Sequence, residues 1–507
     1  MDRDAWLDPL HPLFDAAGMR AVDAWAIEER GIPSLRLMEA AGAAVARETE
    51  RIARPGPVRV LCGKGNNGGD GLVAARLLRS AGHEVEVLLL WPAEQLSDDS
   101  GANLERWEGD ATVVDDPERA LAGSGAIVDA IFGTGFEGAP REPALAAIEA
   151  ANGSEAPVVA CDIASGVDAS TGEVAGVAID AALTVSFHAA KVGHRVAPGK
   201  WRTGELVVAP IGIPSGAPGS PVAGVIGEGA LDLPPRRGRE STKFSSGEVL
   251  VVGGSRGMTG AVCMASTAAT RAGAGYATVA APAELEDILE VKLTEVMTMG
   301  LDGSGGALGA AAAPEVIARS ERSACVVLGP GLGRAEHSAR LVRDLAPRIA
   351  APLLIDADGL NAIGTDLALL RGREQPTVLT PHAGELARLL GCESSDVNSA
   401  RLSSARRAAQ ESGAVVVLKG DDTLVVDGER VAVNAHASPA LATAGTGDVL
   451  SGTIAALIAR GTEPFEAACA GVLAHARAGS IAAERVGLVE SVVATDVIEA
   501  LPAGLRR

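Results

Sequence analysis

Two unlike glycine-rich segments, each carrying an aspartate, constrain this chain more than any other feature of its sequence. The first is GKGNNGGDG, from Gly63 to Gly71, and the second is ATAGTGDVLSG, from Ala442 to Gly452. Each is interpreted as a loop whose bare backbone N–H groups can approach a phosphate, followed by a helix whose N-terminus favours an anion. Two such sites predict two activities, or two steps of one pathway, on phosphate-bearing small molecules.

The length, charge and cysteine pattern of the chain narrow its class. A chain of 507 residues is too long for one hydrophobic core and fits two to three domains. The formal net charge of −21 argues against nucleic acid or an anionic membrane as a partner. Scattered cysteines without a C-x-x-C pair predict buried free thiols in a reducing compartment. Because no signal peptide is evident and no apolar run reaches the ~20 residues of a membrane span, we expect a cytoplasmic protein.

Apolar runs alternate with helical patterns through both halves, which predicts α/β domains with mostly parallel sheets. Helices are predicted at 16–30, 34–52 and 69–81. Strands of the first half are predicted at 58–63, 84–90, 111–114, 126–133, 157–162 and 183–188. Strands of the second half are predicted at 247–255, 324–331, 352–359, 377–382 and 414–420, followed by two antiparallel-looking segments and C-terminal helices. A stretch rich in Pro, Gly and Ser after Ile213 predicts a linker, so the expected domains are residues 1–222 and 223–507.

Several polar side chains of the first half directly follow predicted strands. Asp129 ends the run AIVDA and Asp162 ends VVACD, with Ser165 shortly after it. Because ligands bind at the carboxyl ends of strands in open parallel sheets, we expect these residues to lie close together. Oxygen ligands without a Cys or His cluster suit a hard cation rather than zinc. His188 and Lys191 follow a further predicted strand.

The first glycine-rich segment offers both side-chain amides and exposed backbone. Asn66 and Asn67 tolerate left-handed backbone geometry, and Gly68 and Gly69 let a ligand approach the main chain. Asp70 is placed at the start of a helix, where it is either a ligand-binding residue or a simple N-cap. The sequence alone leaves both interpretations of Asp70 open.

The second glycine-rich segment has the features of a phosphoryl-transfer site. Gly445 and Gly447 leave the N–H groups of the turn bare toward a transferring phosphoryl group. Asp448 at the helix entrance can accept the proton of an attacking hydroxyl, or else cap the helix. His382, in TPHAGE, is on residue type alone as consistent with capping or packing as with substrate contact. Lys419 follows a predicted strand, and because the chain has only six lysines a functional role is favoured.

The motifs GKGNNGGDG, DAIFGTGFEG, DIASGVD and TVSFHAAKVG resemble the N-terminal domain of the bifunctional NAD(P)H-hydrate repair enzyme family, over most of residues 10–212. The resemblance implies a Rossmann-like epimerase that acts on the C6 hydroxyl of hydrated NADH or NADPH (NADHX or NADPHX) and binds a potassium ion. By motif, Asn67, Asp129 and Ser165 would ligate the ion, and Asp162 would be catalytic. The implied substrate-binding residues are Asn66, Asn67, Gly68, Gly69, Asp70, Gly133, Thr134, Gly135, Phe136, Glu137, Gly138, Ala139 and Asp162.

A second group of motifs, GGSRGMTGA, GPGLG, PHAGE, KGDDT and ATAGTGDVLSG, resembles the ribokinase-like superfamily over about residues 240–500. The closer resemblance is to its nucleotide-dependent NAD(P)H-hydrate dehydratases, which implies that Asp448 is the catalytic base. The residues implied to contact the hydrated dinucleotide are Ala261, Gly331, His382 and Asp448. The residues implied to bind the adenine nucleotide are Lys419, Gly420, Asp421, Asp422, Thr423 and Gly447.

The fused order of the two resembling domains implies one repair enzyme. ADP or ATP, with Mg²⁺, would phosphorylate the C6 hydroxyl of the S epimer, and loss of phosphate would restore the reduced cofactor. The first domain would interconvert the R and S epimers. ADP is favoured over ATP, and a homo-oligomer is expected. Two alternatives stay open: a ribokinase-like vitamin-precursor kinase fused to a dinucleotide-binding regulatory domain, and a non-enzymatic dinucleotide sensor.

Overall fold

The chain forms two compact units in the computed structural model, which describes residues 10–217, 220–436 and 438–507. The first unit is Pro12–Ala223, and the second is Gly224–Arg507 with the described residues that precede Pro12. Within these ranges, none of the helices combines the length and the apolar character that crossing a bilayer requires. All six cysteines are free thiols, and four of them are buried, as the sequence predicts.

The first unit is built on a seven-stranded parallel sheet. After a short strand β1 (Leu10–Leu13), the strands of this sheet are β2 (Val58–Cys62), β3 (Val85–Leu89), β4 (Ala111–Val113), β5 (Ala126–Ala130), β6 (Val158–Cys161), β7 (Leu183–Phe187) and β8 (Glu205–Ala209). The helices are α1 (Ala16–Ala24), which continues as a π-helical turn (Trp25–Glu29), α2 (Ser34–Ile52), α3 (Asn66–Ser80), α4 (Asp98–Glu105), α5 (Pro117–Leu121) and α6 (Ala144–Gly153).

The strand order of this sheet, β4-β3-β2-β5-β6-β7-β8, is that of a Rossmann-like fold. Strands β5 and β6 are buried along their whole length, because helices cover both faces of such a sheet. The chain runs outward from β2 in one direction and from β5 in the other, so the order reverses between these two neighbours. The crevice for a ligand is therefore expected at the carboxyl ends of β2 and β5.

The second unit contains a larger mixed sheet and most of the helices. Its strands are β9 (Ala223–Ile226), β10 (Glu248–Val252), β11 (Tyr276–Pro282), β12 (Met297–Leu301), β13 (Gly303–Ser304), β14 (Ala307–Leu308), β15 (Cys325–Leu328), β16 (Leu353–Ile355), β17 (Thr377–Leu379), β18 (Val415–Leu418), β19 (Leu424–Asp427) and β20 (Arg430–Val433). Its helices are α7 (Thr259–Arg271), α8 (Glu286–Lys292), α9 (Ala313–Ser320), α10 (Glu336–Leu345), α11 (Asp358–Ile363), α12 (Ala383–Leu390), α13 (Ser394–Ser399), α14 (Arg401–Ser412), α15 (Thr446–Ala459), α16 (Pro464–Val486) and α17 (Ala494–Gly504).

The main sheet of this unit includes the order β9-β20-β19-β18-β17-β16-β15-β10-β11-β12. Pairing is parallel from β18 to β12, and the two segments expected to be antiparallel, β19 and β20, pair with antiparallel register. The strand order reverses between β10 and β15, which places the ligand-binding edge at their carboxyl ends. Both units thus have the predicted α/β class.

The structure corrects one local prediction in the first unit. The segment from Asn66 to Asp70 is not a loop that precedes a helix, because α3 already begins at Asn66 with Gly65 at the N-cap position. Asp70 therefore lies inside the helix, and the interpretation of Asp70 as an N-cap is wrong. Glycine and asparagine lowered the expected helix propensity of this segment, but tertiary packing around it overrides that local preference.

Candidate active sites

A cavity of about 580 Å³ opens at the carboxyl ends of β2 and β5, where the strand order reverses. Helices α1, α2 and α3 contribute walls, and the loop after β5 contributes the segment Gly133 to Glu137. Five further lining residues carry the polar groups expected of a ligand site: Lys64, Asn66, Asn67, Asp70 and Asp162. The structure thus brings the first glycine-rich segment, the loop after β5 and the aspartate after β6 to one cavity.

Gly68 and Gly69 serve helix packing rather than ligand approach. A Cβ atom on Gly68 would lie 2.1 Å from the carbonyl oxygen of Gly63, and one on Gly69 would lie 2.5 Å from Sδ of Met38. Neither glycine is among the cavity-lining residues, and neither are Gly138 and Ala139. The bare backbone at 68–69 allows α3 to pack closely on the end of β2 and on α2.

Asp129 and Ser165 form a buried hydrogen-bonded pair beside the cavity. Ser165 Oγ donates to Asp129 Oδ1 at 2.6 Å, and the Ser165 backbone N–H donates to Oδ2 at 2.8 Å. Burial raises the pKa of Asp129 to about 6, and these hydrogen bonds partly oppose that rise. The N–H of Phe132 donates to Ser165 Oγ at 2.9 Å, and the adjacent Gly133 lies against Asn67. These contacts place the three residues expected to bind a cation around residues 132–133.

The Asn67 side chain is buried in this region, and its Nδ2 atom has no hydrogen-bond partner among the described residues. Because a buried amide atom without a partner costs free energy, it marks a place where a ligand completes the site. The oxygen and nitrogen of an asparagine amide are assigned from their hydrogen-bond partners. The bound ligand therefore decides whether Oδ1 or Nδ2 of Asn67 faces it.

Asp162 is held in an uncommon backbone geometry by an ion pair with a fully buried lysine. Its φ of 68° lies in the left-handed region, which non-glycine residues rarely adopt. Lys191 Nζ donates to Asp162 Oδ1, to Ser186 Oγ at 2.9 Å and to the Phe187 carbonyl at 3.1 Å, so all three of its protons are used. Thr134 Oγ1 donates to Asp162 Oδ2. Burial alone opposes ionisation of Asp162, but Lys191 holds its pKa below the ordinary value.

A buried histidine fixes this lysine in place. Lys191 N–H donates to His194 Nδ1 at 3.0 Å, and His194 Nε2 donates to the carbonyl of Asp162 at 2.9 Å. Burial, together with the charge of Lys191, lowers the pKa of His194 to about 3, so the ring is neutral at physiological pH. The sequence drew attention to His188 and Lys191 and missed His194; His188 is half-buried and does not line the cavity.

The second site is centred on Asp448, in the first turn of α15. Gly445 precedes the helix with a φ of 91°, and a Cβ there would lie 2.5 Å from Sδ of Met264, so this position requires glycine. No side-chain cap is made at this helix end, which excludes the interpretation of Asp448 as an N-cap. Burial and the nearby Asp356 raise the pKa of Asp448 to about 7, and Lys419 opposes the rise.

Lys419 lies beside this aspartate and is held by two buried carboxylates. Its Nζ is 3.1 Å from Asp356 Oδ1 and 3.7 Å from Glu385 Oε2. Ser451 Oγ, on α15, donates to Asp356 Oδ2 at 2.6 Å. A Cβ on Gly447 would lie 3.5 Å from Lys419 Nζ, so the ammonium group faces the turn that precedes Asp448. The sequence reasoning missed Asp356, although it follows strand β16 in the same way that Asp162 follows β6.

His382 caps a helix. Its Nδ1 accepts the backbone N–H of Gly384 at 3.0 Å and that of Glu385 at 3.3 Å, while Glu385 Oε2 accepts the His382 N–H at 2.9 Å. This reciprocal arrangement is a capping box at the start of α12. The side chain remains half-exposed, so the capping role and a contact through Nε2 are compatible.

The KGDDT segment is a turn that is closed by its own side chains. Asp422 is 1% exposed and pairs with Arg401, with an N–O separation of 2.8 Å. Thr423 Oγ1 donates to the Gly420 carbonyl at 2.7 Å. The side chains of Asp422 and Thr423 therefore shape the turn, whereas Gly420 and Asp421 are exposed. Elsewhere in this unit, a Cβ on Gly331 would lie 3.1 Å from Ala261 Cβ, so the loop after β15 meets the first turn of α7.

These features are those of a two-domain α/β enzyme, with a cavity at the strand-order reversal of its first sheet and a buried aspartate and lysine at a glycine-rich helix entrance in its second domain. Comparison with known families agrees with that class. The family model described as NAD(P)H-hydrate dehydratase matches residues 249–503, and that described as YjeF-related protein N-terminus matches residues 34–193.

Full-length relatives extend this agreement over nearly the whole chain. The bifunctional NAD(P)H-hydrate repair enzyme Nnr of Moorella thermoacetica is 41% identical over 97% of this chain and 96% of its own. The Nnr proteins of Salinibacter ruber and Escherichia coli are 38% and 35% identical, each over 97% of this chain. A solved ADP/ATP-dependent NAD(P)H-hydrate dehydratase from Bacillus subtilis is 25% identical, with a TM-score of 0.47, over 55% of this chain and 95% of that chain.

The chain belongs to the family of bifunctional NAD(P)H-hydrate repair enzymes. The predicted fold classes, Rossmann-like followed by ribokinase-like, and the predicted combination of an epimerase and a dehydratase in one enzyme are confirmed. The roles of individual residues in the two sites stay predictions.

Proposed function

We propose that the first cavity epimerises (R)- and (S)-NAD(P)HX and that the second site dehydrates the S epimer to NAD(P)H. The observation that carries the proposal is the pair of sites. The first lies at the strand-order reversal of its sheet, and the second lies at the glycine-rich entrance of α15. In the first cavity, the ion-paired Asp162 offers a fixed negative acceptor to the substrate, and Asn66, Asn67 and Asp70 supply polar groups around it.

We propose a potassium ion in the first site, held by Asn67, Asp129 and Ser165. The residues fit such an ion: Asp129 offers a carboxylate, Ser165 a hydroxyl, and Asn67 an amide oxygen once its side chain is turned so that Oδ1 takes the place of the partnerless Nδ2. This set carries a single formal charge. Among the described residues, no group of three or more acidic, histidine or cysteine side chains is arranged to hold a metal ion, which favours a weakly charged ligand set over a divalent-metal cage. The bound ion would offset the burial of Asp129 and fix the loop at residues 132–133.

In the second site, Asp448 is proposed as the base that takes the proton from the C6 hydroxyl as the nucleotide phosphorylates it. Its pKa of about 7 matches that role, because a general base works best when its pKa is near the operating pH. Lys419 and the backbone N–H groups at Gly447 would stabilise the negative charge of the transferring phosphoryl group. Loss of phosphate from C6 would then restore the conjugated dihydropyridine.

The nucleotide is proposed to arrive as a magnesium complex. Magnesium is usually bound by substrate phosphates together with one or two carboxylates, which fits an ion that arrives with the nucleotide. ADP is proposed as the preferred nucleotide because the second group of motifs resembles bacterial-type dehydratases. The exposed backbone of Gly420 and Asp421 beside Lys419 is the proposed contact for the adenine nucleotide. A cytoplasmic location and homo-oligomerisation stay predictions.

The test separates a dehydratase from the vitamin-precursor kinase and the dinucleotide sensor. The purified chain is incubated with (S)-NADHX, Mg²⁺ and ADP or ATP, and the products are analysed by mass spectrometry and a phosphate assay. A dehydratase returns NADH and inorganic phosphate in equal amounts. A stable phosphomonoester would show a kinase, and unchanged (S)-NADHX would show a binding protein, and either result would contradict the proposal.

A further inference from the structure

Asp23, on α1, lines the first cavity, although nothing in the sequence pattern marked it. Asp15 caps α1 by accepting the N–H of Gly18 at 2.6 Å, which fixes where the helix begins. Ala16, Met19, Arg20 and Asp23 recur at helical spacing and all line the cavity, so one face of α1 forms its wall. Asp23 is half-buried on that wall.

The carboxylates of Asp23 and Asp70 are unpaired, in contrast to that of Asp162. Neither makes a hydrogen bond or an ion pair to another residue in the described part of the chain. Asp162, in the same cavity, has both oxygens engaged, one by Lys191 and the other by Thr134. Asp162 is therefore an ionised acceptor without a proton to give, and the two unpaired carboxyl groups are the ones free to gain and lose protons.

The two unpaired carboxyl groups differ in their surroundings. Burial raises the pKa of Asp23 to about 6, with Asp162 adding to the rise and Lys191 opposing it. Burial raises the pKa of Asp70 well above the ordinary value, and the charges of Asp162, Asp23 and Asp99 add to the rise. Asp23 therefore titrates close to the working pH, whereas burial and the neighbouring negative charges favour the protonated form of Asp70. The remaining charged groups that line the cavity are Arg20, Lys64, Asp99 and Glu137.

The cavity also carries an independent sign of a bound ligand, which is the buried Asn67 amide without a partner. Inversion at a carbinol carbon next to a ring nitrogen needs a proton donor for the departing hydroxyl and a proton acceptor for the entering one. Environments that push the pKa values of two carboxyl groups apart provide these two roles.

We propose that Asp23 is a catalytic residue of the epimerase, working with Asp70 from a second wall of the same cavity; the assignment rests on the proposed epimerase function. Asp70 gives its proton to the C6 hydroxyl, which leaves as water while the lone pair of N1 forms a C6=N1 iminium bond. Water then adds to the opposite face of C6, N1 regains its lone pair, and the Asp23 carboxylate takes the released proton. The two carboxyl groups have then exchanged protonation states, which is what catalysis in the reverse direction requires.

The experiment uses the full-length enzyme with Asp23→Asn and, as a control, Glu28→Gln, which removes an exposed carboxylate from the helical turn after α1. Pure (R)-NADHX with ADP or ATP and Mg²⁺ is followed at 340 nm, and (S)-NADHX is assayed in parallel. We expect Asp23→Asn to lower conversion of the R epimer by about 10²-fold through kcat, with KM and dehydration of the S epimer unchanged. Glu28→Gln is expected to match the wild type in both assays.

The outcomes separate this inference from the function on which it rests. A wild type that converts (R)-NADHX no faster than spontaneous epimerisation would overturn the epimerase itself. If the wild type converts (R)-NADHX and the rate of Asp23→Asn lies within about threefold of the wild-type rate, only the role of Asp23 would be overturned. In H₂¹⁸O, the wild type should introduce one labelled oxygen per inversion, and inversion without label would overturn the proposed step. A lower melting temperature of Asp23→Asn with an increased KM would instead indicate a structural residue.

Discussion

The ion pair between Lys191 and Asp162 offers a sharp test of how the first domain is held together. Lys191 is fully buried, and Asp162 is 8% exposed. Replacing Lys191 by Met keeps a similar shape but removes the charge, so the aspartate is left ionised and uncompensated. Breaking a buried pair by removing one partner typically costs about 3–5 kcal/mol of the free energy of unfolding. With an m-value of about 2 kcal/mol per molar urea, the unfolding midpoint should fall by about 1.5–2.5 M.

The pH dependence of this loss has a definite sign. In the wild type the pKa of Asp162 in the folded state lies below its ordinary value of 3.8, so its ionisation stabilises the fold above that pH and the contribution disappears below it. In Lys191→Met, burial acts without compensation and the folded-state pKa of Asp162 rises, so the variant regains stability as the pH falls and the carboxyl is protonated. The difference between the two proteins should therefore be largest near pH 7 and shrink toward pH 4.

Tryptophan fluorescence reports mainly this domain, because four of the five tryptophans, Trp25, Trp91, Trp107 and Trp201, lie between Pro12 and Ala223. Urea unfolding with excitation at 295 nm is measured for the wild type, for Lys191→Met and for Lys191→Met combined with Asp162→Asn. Replacing both partners should recover most of the loss, because no unpaired charge remains. Lys64→Met, at an exposed position, serves as the control and should change stability by less than about 0.5 kcal/mol. A single Lys191→Met variant within 1 kcal/mol of the wild type at pH 7 would refute this reasoning.

Three further predictions concern the chemistry. Asp448→Asn should lower the rate of dehydration of (S)-NADHX by about 10²-fold or more while nucleotide binding persists. The kcat/KM of the wild type should fall as the pH drops below about 7, because the base becomes protonated. A rate that does not change with pH would contradict this role of Asp448. In Asp129→Ala, the melting temperature in KCl should no longer exceed that in choline chloride, and epimerisation should be slower, while the S epimer is still dehydrated. A melting temperature that still depends on potassium would argue against this ligand set. Residues 223–507 expressed alone should consume only the S epimer, and equal consumption of both epimers would disprove the division of labour.

The sequence predicted most of the buried strands but missed β8, β11 and β12, and it contained no prediction of strand order. Apolar runs such as AIVDA and VVACD mark buried strands by their length and composition, and the aspartates that close them lie in or beside the first site. Which strands become neighbours depends on crossover connections that leave no local pattern. The reversal of strand order between β2 and β5, which locates the cavity, therefore becomes evident only in the structure.

Residues on helices and the reasons for glycines were harder to predict. Asp23 was missed because a helical aspartate that faces a cavity has the same sequence pattern as one that faces water. Asp356 was missed although it follows a strand as Asp162 does, so the same reasoning would have found it. Gly68 and Gly69 were expected to let a ligand approach the backbone, but in the structure they allow close helix packing. Glycines that serve these two purposes have the same sequence pattern.

The most direct test of the whole account is conversion of pure (R)-NADHX, supplied with ADP or ATP and Mg²⁺ and followed at 340 nm with chiral separation of the epimers. We expect the wild type to convert the entire sample to NADH, with one phosphate released per NADH and (S)-NADHX as a transient species. We expect Asp448→Asn to stop at a mixture of the two epimers. Direct formation of NADH from (R)-NADHX without the S epimer, or no conversion beyond the spontaneous rate, would contradict the assignment of two successive activities to the two domains.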